Sequence, residues 1–104
     1  MGDTFIPINS SDIAYLVSED GITFATLFNK KKHIVDYSIV ELSKQMDAYT
    51  FFHINRKIII NNESVIKINS WFNSRLKLQL NPSHNEDIIV SRERVKSFKE
   101  WLDR

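Results

Sequence analysis

The chain has 104 residues, 42% apolar and 26% charged, which suits one globular domain spanning residues 1–104 and is too short to hold two. It has no cysteine, which excludes a disulfide framework, a Cys-based zinc site and a thiol nucleophile, and no apolar stretch nears the ~20 residues a membrane helix needs. The net charge of +1 is unevenly spread: residues 1–54 hold seven acids against four lysines, a balance of −3, and residues 55–104 hold ten Lys/Arg against six acids, a balance of +4. Such asymmetry hints at a polyanionic partner for the second half.

The leading "MGDTFIPINS" has neither a basic lead nor an apolar run, so no secretory signal is expected and the cytoplasm is the expected compartment. Thr4 to Ile8 reads as a short strand, placed at an edge by Pro7. "NSSD" is turn chemistry. "IAYLVSED" follows as a strand with Ile13, Tyr15 and Val17 on one face. Asp20-Gly21 is a turn signal, and "ITFATLFNKKK" alternates Phe24, Thr26 and Phe28 against Thr23, Ala25 and Leu27. Asn29 to Lys32 reads as a hairpin tip, and His33 to Tyr37 returns as a strand.

The period then changes. Ile39, Leu42, Met46 and Tyr49 fall at helical spacing, and Ser38 with Glu41 three residues later forms a capping box, so a helix is predicted over about 38–48. "FFHINRKIIINNESVIKI" (Phe51 to Ile68) is unusual, because Arg56 and Lys57 sit at the lip of three consecutive isoleucines. "SVIKINSW" and "SRLKLQL" alternate, with Val65, Ile66 and Ile68 apolar in the first, and Leu76, Leu78 and Leu80 opposite Arg75, Lys77 and Gln79 in the second. "NPSHNED" is a polar loop and "DIIV" a short strand. A second helix, about 91–103, closes the chain with Ser91 as N-cap, Val95, Phe98, Trp101 and Leu102 as its apolar stripe, and Arg92, Lys96 and Lys99 as a basic stripe. Strand and helix do not alternate regularly enough for a doubly wound sheet, so packed antiparallel sheets with peripheral helices are expected.

Enzymatic motifs are missing: there is no glycine-rich phosphate loop, nucleophile elbow or His-Glu-x-x-His. His33, His53 and His84 lie 20 and 31 residues apart with no carboxylate at a ligand-like offset, so they read as two loop or hairpin histidines and one partly buried, not as a metal site. No cofactor is expected. Three basic features remain. Lys30-Lys31-Lys32 reads best as a solubilising turn. Arg56-Lys57 is either a rim pair covering core with its aliphatic stems or a ligand contact. Arg92, Arg94, Lys96 and Lys99 are either a solvated helix face or an anion site; arginines opposing the dipole of a first helical turn make more sense if a phosphate or base edge arrives there.

Together these segments resemble the LytTR DNA-binding domain family. "FHINRKIIINNESVIKI" resembles its signature segment through Phe52, Arg56, Lys57, Ile58-Ile59-Ile60, Asn61 and Ile66 or its neighbours. "IIVSRERVKSFKEWL" resembles its closing strand and helix, and the Asp-Ile-x-Tyr strand, hairpin and helix before Met46 resemble the rest, so the likeness runs from about Phe5 to Leu102. The resemblance implies a mainly β domain that sets three loops into successive major grooves of duplex DNA and bends it. The first loop falls on Asp20, Gly21 and Ile22. Relatives often carry a polar or basic base-reading residue there, so Gly and Ile are a departure, with neighbouring Thr23 or the backbone as substitutes. The second loop is Arg56-Lys57. The third is Ser91, Arg92, Glu93 and Arg94 with Lys96 behind. There either Glu93 faces the groove and accepts from a cytosine amino group, or Arg94 or Arg92 reads instead; Arg94 is the expected DNA contact, to base or to phosphate.

The resulting expectation is a non-enzymatic, sequence-specific duplex-DNA-binding domain of a bacterial transcriptional regulator. A phosphorylatable receiver or other regulatory domain is expected to precede it, and a dimer is expected on DNA. In this reading the isoleucine run anchors a loop whose cations reach phosphate, and Asn61 serves the fold by bonding a turn backbone. The alternative is a protein-interaction β-module whose DNA face has degenerated, favoured by Gly21-Ile22 and the near-neutral total charge.

Overall fold

The computed structural model describes residues 7–104. Its strands are β1 (Ile13–Glu19), β2 (Ile22–Leu27), β3 (Lys32–Val35), β4 (Phe51–Asn55), β5 (Ile58–Asn61), β6 (Val65–Trp71), β7 (Arg75–Leu80) and β8 (Ile88–Val90). Its helices are α1 (Ile39–Gln45) and α2 (Val95–Leu102). One antiparallel sheet has the order β3-β2-β1-β5-β4 and the other β6-β7-β8. The expected mainly β architecture is therefore observed.

Three layers result. The three-stranded sheet and α2 cover one face of the five-stranded sheet, where Tyr15, Val17, Ile58 and Ile60 meet Leu76, Leu78, Val90, Phe98 and Trp101. α1 covers the other face, where Ile39 and Leu42 meet Leu16, Ala25, Leu27 and Ile59. β5 is sandwiched between the two. Its isoleucines do not alternate with polar residues because both of its faces are core.

Local signals explain most boundaries. Asp20 and Gly21 both have positive φ, 51° and 79°, the geometry of a two-residue turn that matches the twist of β1 and β2. Nothing lies within 4 Å of where a Cβ on Gly21 would stand, so backbone conformation alone favours glycine there. The Ser38 hydroxyl accepts from Glu41 N–H and the Glu41 carboxylate accepts from Ser38 N–H, completing the predicted capping box. Asn61 is buried; its Nδ2 donates to the Ile13 carbonyl (3.0 Å) and its Oδ1 accepts from Glu63 N–H (2.9 Å), the turn-bonding role expected of it.

Several expectations are corrected. Residues 4–6 of the predicted first strand lie outside the described residues, and Pro7 and Ile8 are not in a strand. A bulge between Ile13 and Tyr15 puts Ile13 on the α1 side while Tyr15 and Val17 face the other core, so the three do not share a face. β3 begins at Lys32 and ends at Val35, short of Tyr37. α1 stops at Gln45, and Tyr49 is exposed beyond its end. Ile66 and Ile68 are also exposed: β6 is an edge strand left uncovered from Ile66 to Ser70, whereas the opposite edge strand, β8, is buried at Ile88 and Val90. The last helix begins at Val95. Arg92–Arg94 form a 3-10 turn, and the Ser91 hydroxyl does not cap it. That hydroxyl (3.3 Å) and the Ser91 N–H (3.0 Å) both donate to the Ile54 carbonyl instead.

Candidate nucleic-acid interface

The β1–β2 turn, the β4–β5 turn and the loop between β8 and α2 come to one edge of the molecule. Five hydrogen bonds join them. Ser18 N–H donates to Lys57 O (2.8 Å), tying the end of β1 to the second turn. Asn55 Nδ2 donates to Ile89 O (2.7 Å), while its Oδ1 accepts from Lys57 N–H (2.8 Å) and so shapes the turn it opens. The two Ser91 bonds to Ile54 O and the Arg94 Nη1 bond to His53 O (3.0 Å) fasten the third loop to β4. Loops held this way are ordered before any ligand arrives, which lowers the entropic cost of binding.

Arg56 and Lys57 are both exposed, at the tip of the turn between β4 and β5. Their neighbours on the chain, Asn55 and Ile58, are half-buried and buried, so the cations stand on a rigid base. The three loops enclose an open groove of about 700 Å³, lined by Arg56, Lys57, Arg94 and Ser91 among others. Five carboxylates also line it: Glu19, Asp20, Glu86, Asp87 and Glu93. Two of these have cationic partners elsewhere. Glu19 faces Lys32 Nζ (3.8 Å) and Asp87 faces Lys77 Nζ (3.2 Å). Three unpaired carboxylates then stand against three cations, and the groove is close to neutral.

His53 lies in β4 beneath this edge, with its buried Nε2 lacking a hydrogen-bond partner. Burial, and after it the Arg94 guanidinium, pushes the His53 imidazole below its usual range, so the neutral ring is favoured. His84 closes another side: its Nε2 is 3.6 Å from Glu19 Oε1, and its ring stands edge-on to Tyr15 with centroids 5.7 Å apart. The Tyr15 hydroxyl donates to Ser83 O (3.2 Å), and burial pushes its pKa up, which keeps it a neutral donor. His84 is thus the one loop histidine; His33 and His53 lie in strands. Among the described residues no group of three or more His, Asp or Glu could hold a metal ion.

The structure distributes the sequence-predicted residues unevenly. Arg56, Lys57, Ser91, Glu93 and Arg94 share the groove. Gly21, Ile22 and Thr23 do not line it; they border a shallow depression with Val35 and Tyr37, while Asp20 turns toward the groove. Thr23 is buried, so its side chain is not offered at the surface there. Ile22 is exposed. Arg92 is exposed beside the groove, and Lys96 is exposed on the first turn of α2. Arg94, the expected contact, is half-buried and already engages a backbone carbonyl, which leaves Arg92 the freer of the two guanidinium groups. Sequence reasoning missed Asn55, which ties the second turn to β8 just ahead of the third loop, and Ser18, which contributes only a backbone N–H. An Asn directly before a two-residue turn is a recognisable Asx signal; the Ser18 contact has none.

A mainly β domain whose antiparallel sheets present three interlocked loops along one edge is the architecture these observations define. The family model described as "LytTr DNA-binding domain" matches residues 3–103, and the chain belongs to that family. It is 28% identical over 102 residues to the sensory transduction protein LytT of Bacillus subtilis (strain 168), covering 98% of this chain and 41% of that protein. It is 29% identical over 96 residues to the transcriptional regulatory protein YpdB of Escherichia coli (strain K12), covering 92% of this chain and 38% of that one. The chain thus spans about two fifths of the length of these curated relatives. A solved LytTr DNA-binding domain from Bacillus cereus superposes with a TM-score of 0.84 at 22% identity, covering 100% of this chain and 93% of that one, which establishes the shared fold.

Proposed function

We propose that this LytTr DNA-binding domain reads duplex DNA in a sequence-specific manner through its three interlocked loops, as the output domain of a bacterial transcriptional regulator. The observation that carries the reading is the latching of the Arg56-Lys57 turn to both of its neighbours through Lys57 O, Asn55, Ile54 O and His53 O. A fixed row of loops suits insertion into successive major grooves, where loop tips contact base edges while cations meet phosphate. Arg56, Lys57 and Arg92 are the exposed cations of that row. The domain performs no chemistry in this reading and works in the cytoplasm. Relatives more than twice its length support a further, regulatory domain in the whole protein, most simply a phosphorylatable receiver, with paired domains on paired sites.

The test is selection of random duplexes on the purified domain, followed by anisotropy titration of the enriched sequence at several salt concentrations. A short enriched motif, with log affinity falling linearly against log salt, is the expected result. Absence of any enriched motif, with only weak binding abolished by salt, contradicts sequence-specific reading by this domain and favours a protein-interaction module.

A further inference from the structure

The β6–β7 hairpin adds a cation, Arg75, that the three loops do not include. β6 ends at Trp71 and β7 begins at Arg75; Phe72–Ser74 form the tip, with Asn73 and Ser74 both left-handed at φ 58° and 60°. Strand register fixes where this tip lies. Leu76 pairs with Val90, so the residue before Leu76 stands beside the residue after Val90. Arg75 thereby comes next to Ser91. Asn73, Arg75, Ser91, Arg92 and Glu93 line a depression of about 350 Å³. Ser91 and Glu93 border this depression and the main groove alike, so the third loop is a ridge with a hollow on each side.

The cations are arranged to match. On one side of the ridge stand Arg56, Lys57 and Arg94, and on the other Arg75 and Arg92. A loop inserted into a major groove has one phosphate strand on each side of it. The main groove is close to neutral once its internal ion pairs are counted, whereas the outer hollow holds two arginines against the single carboxylate of Glu93. Arg75 is also prepared for a ligand. Its Nε donates to the Phe72 carbonyl (2.9 Å), which orients the guanidinium, and among the described residues Nη1 and Nη2 have no hydrogen-bond or ion-pair partner. Two free terminal nitrogens in a fixed plane suit bidentate contact with a phosphate. Beneath, the tip is stiffened by the Trp71 and Phe72 rings, edge to face with centroids 4.9 Å apart, and by Lys77 Nζ, 4.6 Å from the centre of the Trp71 ring.

We propose that the β6–β7 tip is a fourth DNA-contacting element, in which Arg75, flanked by Asn73, holds the backbone phosphate on the outer side of the groove that the Ser91–Arg94 loop enters. The assignment rests on the duplex-reading function proposed above. It deepens that reading by naming a sequence-independent clamp outboard of the base-reading loops.

The test compares the domain with Arg75→Gln and Arg75→Lys variants on one duplex selected by the native chain. Anisotropy is read against salt, and the duplexes carry single neutral methylphosphonate linkages placed in turn along both strands. Arg75→Gln is expected to bind several-fold more weakly on matched and mismatched sequences alike, with a salt slope smaller by about 0.9. Arg75→Lys is expected to recover the slope and part of the affinity. One neutral linkage should weaken the native domain and leave Arg75→Gln unaffected, which marks the contacted phosphate. A native-like slope in Arg75→Gln, or equal cost of every neutral linkage for both proteins, overturns the clamp while leaving DNA reading intact. Failure of the native domain to select or bind any duplex overturns both.

Discussion

β5 and β6 lie three residues apart in the chain and both carry isoleucines, yet Ile58, Ile59 and Ile60 are 7%, 1% and 0% exposed, whereas Ile66 and Ile68 are 58% and 40% exposed. Composition does not separate them; position in the sheet does. β5 lies between β1 and β4 and has a packed layer over each face. β6 is an edge strand of the smaller sheet, and no residue from Ile66 to Ser70 is covered, although Ile68 pairs with the buried Leu78. The same contrast separates the two proposed DNA-contacting elements. The strand buried on both faces supports the Arg56-Lys57 turn, and the open outer strand leads into the Phe72–Ser74 tip. One cationic element is anchored by core, the other by an aromatic pair and a single arginine-to-carbonyl bond.

The largest expected effect breaks the buried member of the pair. Ile60→Ala should cost about 2–5 kcal/mol in urea unfolding, because the methylenes leave a cavity between the two sheets. Ile68→Ala should cost less than about 1 kcal/mol, since an exposed side chain leaves no cavity behind. Equal losses at the two positions would contradict the layering described here.

A smaller effect sharpens the comparison from the neighbouring strand. His53 pairs in register with Ile59, and burial lowers its pKa from 6.5. In the window between the lowered folded value and 6.5 the unfolded chain binds more protons than the folded one, so stability rises with pH there. The contribution is complete above pH 6.5 and declines as pH falls below it. Thermal unfolding followed from pH 7.5 to 5.5 should show this decline in the native domain and a flatter profile in His53→Gln. An unchanged profile in the variant would assign the acid sensitivity to other groups.

Much of the fold is readable from residue order. The Asp20-Gly21 turn, the Ser38–Glu41 capping box, the Leu76–Leu78–Leu80 face and the turn-bonding Asn61 each follow from local chemistry, and each stands where the pattern puts it. What failed depended on distant partners. Ile66 and Ile68 alternate like core residues, but only the packing around β6 reveals that nothing covers them. Ser91 has the sequence of an N-cap, yet its hydroxyl bonds the Ile54 carbonyl 37 residues away. The candidate site divides along the same line. The cations at 56, 57, 92 and 94 are visible as charge, while their latching through His53 O and Ile54 O and the approach of Arg75 to Ser91 exist only in three dimensions.

The most direct test of an anchored, cation-tipped reading edge is Arg56→Ala, with duplex affinity and thermal unfolding measured on the same preparation. Weaker binding across sequences and an unchanged melting temperature are expected, because Arg56 is exposed and the isoleucines behind it are untouched. Native affinity in a fully folded Arg56→Ala domain would contradict it, and would remove the β4–β5 turn from the DNA-contacting surface.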